Sequence, residues 1–243
     1  MSFKLRNPGR ISFGKFSLQW LAICGSLLLF TVSAVGQGLP EGFVYVDEHI
    51  PNMVVELRYY SKDNFMGRPA KGYRSPRCIL TEEATNALKK VQEELEKFGL
   101  GIKIFDAYRP QRAVNHFVQW AKDLSDTLMK AKYYPEVEKR GLFKKGYIAD
   151  KSSHSRGSTV DLTLVNKAPG EKPQELDMGT GFDFFSPQSW PTYLLISAQA
   201  RAHRMLLQRI MVENGFTPYF AEWWHFTLKN EPFPDQYFDF PIQ

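Results

Sequence analysis

The segment SSHSRGSTVDLTL, residues 152–164, constrains the fold more than any other stretch of the chain. Val160, Leu162 and Leu164 alternate with polar neighbours, the period-two pattern of a half-buried strand. Asp161 then points to the face opposite that apolar row. A carboxylate buried in a strand without a partner is costly. His154, just upstream, is one candidate partner, and the segment EWWHF near the end of the chain supplies Glu222 and His225.

The chain's length of 243 residues suits one sizeable domain or two small ones. Its net charge of +5 is concentrated at one end: Lys4, Arg6, Arg10 and Lys15 all precede residue 40, where no acidic residue occurs. With those four of the 31 basic residues set aside, 27 face 26 acidic ones. The body has no basic excess, so no nucleic-acid partner is expected. The basic start, the apolar run Leu18–Val35 and the small residues Ala34 and Gly36 read as an export signal over residues 1–36. The protein is therefore expected to be periplasmic or secreted. The run is long enough to serve as an uncleaved signal anchor, which would be the only membrane contact. Cys24 also permits a lipoprotein reading, against which Ile23 and the continuing apolar run argue. Cys78 is the only other cysteine, so no internal disulfide is expected after cleavage. It reads as a small buried residue.

Along the body, Thr81 is a plausible N-cap, with Glu82 and Glu83 at the positive end of a helix. Ala84, Ala87, Leu88, Val91 and Leu95 keep helical spacing, and Gly99 sits where a terminating glycine belongs. GIKIFDA (101–107) reads as a strand. The following helix has Pro110 in its first turn and Ala113, Val114, Phe117, Trp120, Ala121 and Leu124 on its buried face. Arg109 thus sits at a strand-to-helix corner. Residues 125–151 read as a solvated, lysine-rich excursion and 166–180 as a second loop. A helix is expected over Tyr193–Asn214, closed by Gly215, and EWWHFTL is expected to end as a strand. Helices mixed with non-alternating strands indicate an α+β fold.

His154, His225 and the two carboxylates Asp161 and Glu222 make a two-histidine, one-carboxylate metal set with one carboxylate to spare. Zinc takes such nitrogen and oxygen donors and keeps a fourth position open for water in catalytic sites. A neighbouring carboxylate can serve as the base. On a regular strand, residues three apart face opposite ways, so Glu222 must lie in the turn before the strand or on a bulge. His49, His116 and His203 read as structural residues.

These segments carry a resemblance. SSHSRGSTVDLTL, EWWHF and DAYRP, together with KDNFMGRP, QRAVNHFVQWA, MGTGFDFF and YFDFP, resemble the zinc D-alanyl-D-alanine dipeptidases associated with vancomycin resistance. The similarity covers 43–243 as one dipeptidase domain. Thr159 departs from the wider family of zinc D,D-peptidases, which usually has alanine there. The resemblance implies a compact α+β domain whose central antiparallel sheet is flanked by helices. It implies one zinc ion per chain on His154, Asp161 and His225, with Glu222 as catalytic base and Arg109 stabilising the oxyanion. It also implies that Tyr59 and Asp183 hold the substrate ammonium, and Tyr73 and Ser152 its carboxylate end. The expected reaction is hydrolysis of D-Ala-D-Ala, a small D,D-dipeptide, in dipeptide scavenging or peptidoglycan metabolism. A zinc D,D-carboxypeptidase trimming peptidoglycan stems is the alternative within enzymes. A non-catalytic, zinc-stabilised peptidoglycan-binding protein is the alternative outside them. The sequence leaves the oligomeric state open.

Overall fold

The computed structural model describes residues 38–167, 170 and 172–243, together with residues 1, 2 and 9. The expected export segment, 1–36, otherwise lies outside the described residues. Among the described residues no helix is long and apolar enough to cross a membrane. Residues Leu39–Gln243 form one compact unit.

In chain order the elements are β1 (Phe43–Tyr45), α1 (Val46–His49), β2 (Val54–Val55), β3 (Ile79–Thr81), α2 (Glu82–Glu96) and β4 (Leu100–Asp106). They continue with α3 (Gln111–Lys122), α4 (Lys130–Tyr133), β5 (Thr159–Asn166), β6 (Gln174–Glu175), α5 (Ala198–Glu213), β7 (Phe216–Pro218) and β8 (His225–Leu228). The main sheet runs β2-β4-β5-β8-β7, with β6 added on β5. Among the described strands only β2 lies parallel to its neighbour; the other pairs are antiparallel, and β1 and β3 form a separate ribbon. This is the α+β architecture that the mixture of helices and strands implies.

Local chemistry accounts for α2. Thr81 Oγ1 accepts the Ala84 N–H at 3.4 Å, and Ala84, Leu88, Val91 and Leu95 are all buried. Gly99 adopts φ +69°, which ends the helix and turns the chain into β4. Helices α2 and α5 pack against each other and against β4, β5 and β7.

Several expectations need correction. Strand β5 is buried on both faces: Thr159, Asp161 and Thr163 are as enclosed as Val160, Leu162 and Leu164. Its polar face looks into a cleft rather than into bulk solvent. Pro110 is the N-cap of α3, one position before the first turn, and Leu124 lies beyond the helix and is exposed. Helix α5 begins at Ala198, where Ser197 Oγ accepts the Ala200 N–H at 3.0 Å; the stretch from Tyr193 to Ile196 precedes that cap.

The excursion 125–151 is solvated along most of its length but also sends side chains into the core. Tyr133, Tyr134, Val137, Leu142 and Ile148 are buried, and Tyr134 meets Trp120 edge to face at 5.6 Å. Lys139 is also buried, giving its ammonium to the carbonyls of Asp123 and Asp126 over the Trp120 ring. These apolar residues have no regular period, and the lysines between them mask their contribution.

Candidate active site

One cross-strand row carries the site. Asp161 on β5 stands opposite Asp106 on β4 and opposite His225 on β8. A bulge makes this row. Ile104 pairs with Leu162, so an unbroken ladder would put Phe105 opposite Asp161; the extra residue brings Asp106 there instead. His154 joins from the tight turn Ser153–Arg156, which Ser152 caps at the His154 N–H and Gly157 closes at φ +85°. Glu222 lies in the turn before β8, as the three-residue spacing to His225 requires.

The donor atoms converge. His154 Nε2 lies 3.2 Å from Asp161 Oδ2 and 3.3 Å from His225 Nδ1, and His225 Nδ1 lies 3.0 Å from Asp161 Oδ1. Tetrahedral zinc with bonds of about 2.0–2.2 Å separates its ligand atoms by roughly 3.3–3.5 Å, close to these spacings. The outer contacts set the ring tautomers. His154 Nδ1 donates to the Ala107 carbonyl at 2.7 Å, which leaves Nε2 as a lone pair facing inward. His225 turns Nε2 toward Ser153 Oγ at 3.3 Å. Among the described residues no N–H or O–H is aligned to donate to the buried Asp161 Oδ1, despite the nearness of His225 Nδ1. Lone pairs and a carboxylate that face one another need a cation between them, and the residues fit a divalent metal.

Charge reinforces the point. Asp106, Asp161, Asp183 and Glu222 surround a single guanidinium, that of Arg109. Burial opposes ionisation of Asp161, but His154 and His225 outweigh it and hold the carboxyl well below the usual range. Burial, reinforced by Asp161 and opposed by His225, pushes Glu222 up to about 7. Burial and then Asp161 raise the Asp183 carboxyl well above its ordinary value. Such a site attracts cations.

Arg109 is held from behind. Its Nε donates to Asp106 Oδ2 at 2.8 Å, and its guanidinium lies 4.9 Å from the Tyr59 ring centre and 5.3 Å from that of Phe117. Its outer nitrogens reach Ser152 Oγ at 3.5 Å and Asp161 Oδ2 at 3.4 Å. A cavity of about 440 Å³ is lined by Arg109, Ser152, His154, Asp161, Asp183, Glu222, His225 and Tyr59. Tyr147, Phe185 and Tyr219 are among its walls. Tyr59 donates to Asp183 Oδ2 at 2.8 Å. Asp183 has φ +59°, the only non-glycine in the left-handed region among the described residues, and such strain gathers at functional positions.

Eight of the nine residues singled out in the sequence therefore share one cavity. Tyr73 is the exception. Its hydroxyl donates to Asp106 Oδ1 at 2.6 Å, behind Arg109, so it braces the guanidinium's anchor and is not among the residues that line the cavity. Asp106 itself went unrecognised in the sequence. Its place three residues before Arg109, at the end of a strand, was the available signal. Ser153 and the Ala107 carbonyl, which orient the two imidazoles, left no signal in residue type.

Comparison with known proteins agrees with this geometry. The D-ala-D-ala dipeptidases of peptidase family M15 match residues 40–243. A D-alanyl-D-alanine dipeptidase of Enterococcus faecium is 41% identical over 202 residues, which is 83% of this chain and 98% of the relative. One from Streptomyces coelicolor is 42% identical over 200 residues, covering 82% and 98%. One from Escherichia coli is 34% identical over 181 residues, covering 73% and 80%. With the match running through nearly the whole folded unit and both halves of the site, the chain belongs to the metallopeptidases of family M15, in the D-ala-D-ala dipeptidase family.

Proposed function

We propose that this protein hydrolyses D-Ala-D-Ala to two D-alanines, using one zinc ion held by His154, Asp161 and His225. The observation that carries this reading is the shared cavity, in which the buried Tyr59–Asp183 pair faces the same space as the convergent donors. Bound there, zinc would act as a Lewis acid that activates water and polarises the scissile carbonyl. Glu222 accepts a proton from the attacking water and later delivers it to the leaving amine, and a carboxyl near neutral pKa suits both steps. Arg109 points its outer nitrogens into the cleft and donates to the oxygen as negative charge develops. Asp106 and the two aromatic rings fix that guanidinium, so little reorganisation accompanies the reaction. Asp183 pairs with the substrate's free ammonium, and Tyr59 orients it. Ser152 stands beside Arg109, where it can meet the substrate's other end.

We further propose that the protein is exported, on the strength of its basic and apolar first 36 residues. An exported dipeptidase meets dipeptide released from the wall, so scavenging is favoured over protection of cytoplasmic precursor pools. The test compares free D-Ala-D-Ala, its N-acetyl derivative and a peptidoglycan pentapeptide, each with and without chelator. Acetylation removes the charge that Asp183 would pair with, so the blocked dipeptide and the pentapeptide should be cleaved at least about 10²-fold more slowly. Equal cleavage of free and acetylated dipeptide would favour the carboxypeptidase reading.

A further inference from the structure

Arg204 lies on the inner side of α5 and is only 3% exposed. A buried guanidinium ordinarily pairs with a carboxylate, yet among the described residues Arg204 makes no ion pair. Asp177 is near enough to favour its charge but does not bond it. Its donors go to main-chain carbonyls and one hydroxyl: Nε to Met178 O at 2.7 Å, one terminal nitrogen to Gln188 O at 3.0 Å and Trp190 O at 2.9 Å, and the other to Thr180 Oγ1 at 3.4 Å. Burial lowers its pKa to about 10, so it stays charged at neutral pH.

Those acceptors occupy the two ends of one segment, 178–180 and 188–190, and Asp183 lies between them. Asp183 is the residue with φ +59°, a conformation that a non-glycine residue keeps only when its surroundings dictate it. Thr180 and Ser189 are also held from a second side. Thr180 Oγ1 also accepts the Trp223 indole N–H at 2.9 Å, and the Trp223 main-chain N–H donates to Ser189 O at 3.0 Å.

We infer that Arg204 is a positioning residue for amino-group recognition: by tying both ends of segment 178–190 it fixes Asp183 in the cleft and sets the preference for an unblocked dipeptide. This rests on the reading that Asp183 pairs with the substrate ammonium. Arg204 does not line the cleft, so it acts through Asp183 and not by touching substrate. A methionine would fill similar volume but leave the carbonyls at both ends untied.

The experiment uses the zinc-loaded full protein and compares free with N-acetylated D-Ala-D-Ala. Arg204→Met should retain its zinc while kcat/KM for the free dipeptide falls at least about 10-fold, chiefly through KM. The acetylated substrate should change by less than about 2-fold, so the preference shrinks. Arg204→Lys should fall between, since one ammonium has too few donors for all four acceptors. In an Asp183→Asn background, Arg204→Met should have little further effect, because the two act as one unit. If Arg204→Met does not fold, Thr180→Val removes the shared acceptor and should reduce the preference by about 2–5-fold. An unchanged preference in a folded Arg204→Met or Thr180→Val protein, or equal losses on both substrates, would overturn the inference. An unmodified enzyme that lacks the preference would instead overturn the reading of Asp183 on which it rests.

Discussion

Removing Arg109 should cost stability as well as activity. Asp106 is fully buried and accepts two hydrogen bonds, from Arg109 Nε at 2.8 Å and from the Tyr73 hydroxyl at 2.6 Å. Deleting one member of a buried ion pair costs about 3–5 kcal/mol, because the other charge stays behind. Tyr73 still donates after Arg109→Ala, which places the loss near the lower end, about 3 kcal/mol. In a domain of this size each kcal/mol shifts Tm by about 2–4 °C, so the variant should melt roughly 6–12 °C lower. Thermal unfolding in the presence of chelator measures this without any contribution from bound metal. The pH dependence has a definite sign. Burial already raises the Asp106 carboxyl, with Arg109 opposing the rise, and losing Arg109 raises it further. A carboxyl whose folded pKa exceeds its unfolded value takes stability away as pH climbs between the two, since the folded state binds the proton more tightly. The Arg109→Ala penalty should therefore be larger at about pH 8 than at about pH 5. Adding Asp106→Asn should recover most of it. A Tm loss below about 2 °C at both pH values, with no recovery from Asp106→Asn, would refute the description of this pair as a buried charge and its counter-charge.

Three further outcomes are expected. Alanine at His154, Asp161 or His225 should abolish stoichiometric zinc together with activity, because three protein ligands leave no redundancy; elemental analysis of purified protein checks it. Glu222→Gln should keep the metal while turnover falls by about 10²–10⁴-fold, and loss of zinc in that variant would make Glu222 a ligand. Gly157→Ala should destabilise the protein and lower its zinc content, as seen in melting curves and metal assays. A Cβ there would sit 2.2 Å from Phe43 Cε1, in a backbone at φ +85° that alanine disfavours.

Much of this was readable from residues because it depends on neighbours in sequence. Helix α2 was legible from Thr81, its two glutamates and the buried stripe ending at Gly99, all local signals. Strand geometry, once Glu222 and His225 had to face one metal, left a turn before β8 or a bulge, and the turn is the one found. What escaped depends on pairing between distant segments. The bulge at Phe105 exists only because β4 meets β5, and without it neither Asp106 nor its contact with Arg109 could be inferred. The contact of Tyr73 with Asp106 escaped for the same reason, since it joins segments distant in sequence. The buried tyrosines of 133–134 lay among lysines, of which Lys139 is itself buried on main-chain carbonyls, so polarity hid the apolar contribution there.

The row Asp106–Asp161–His225 has a consequence for assembly of the molecule. Each strand contributes one member, and a slip of one residue between β5 and β8 would turn His225 or Asp161 to the other side of the sheet. A divalent cation held by Asp161 and His225 of that row, with His154, would stabilise the correctly aligned sheet and no misaligned one. A molecule zipped in the wrong register would therefore be expected to lack both its metal and its activity.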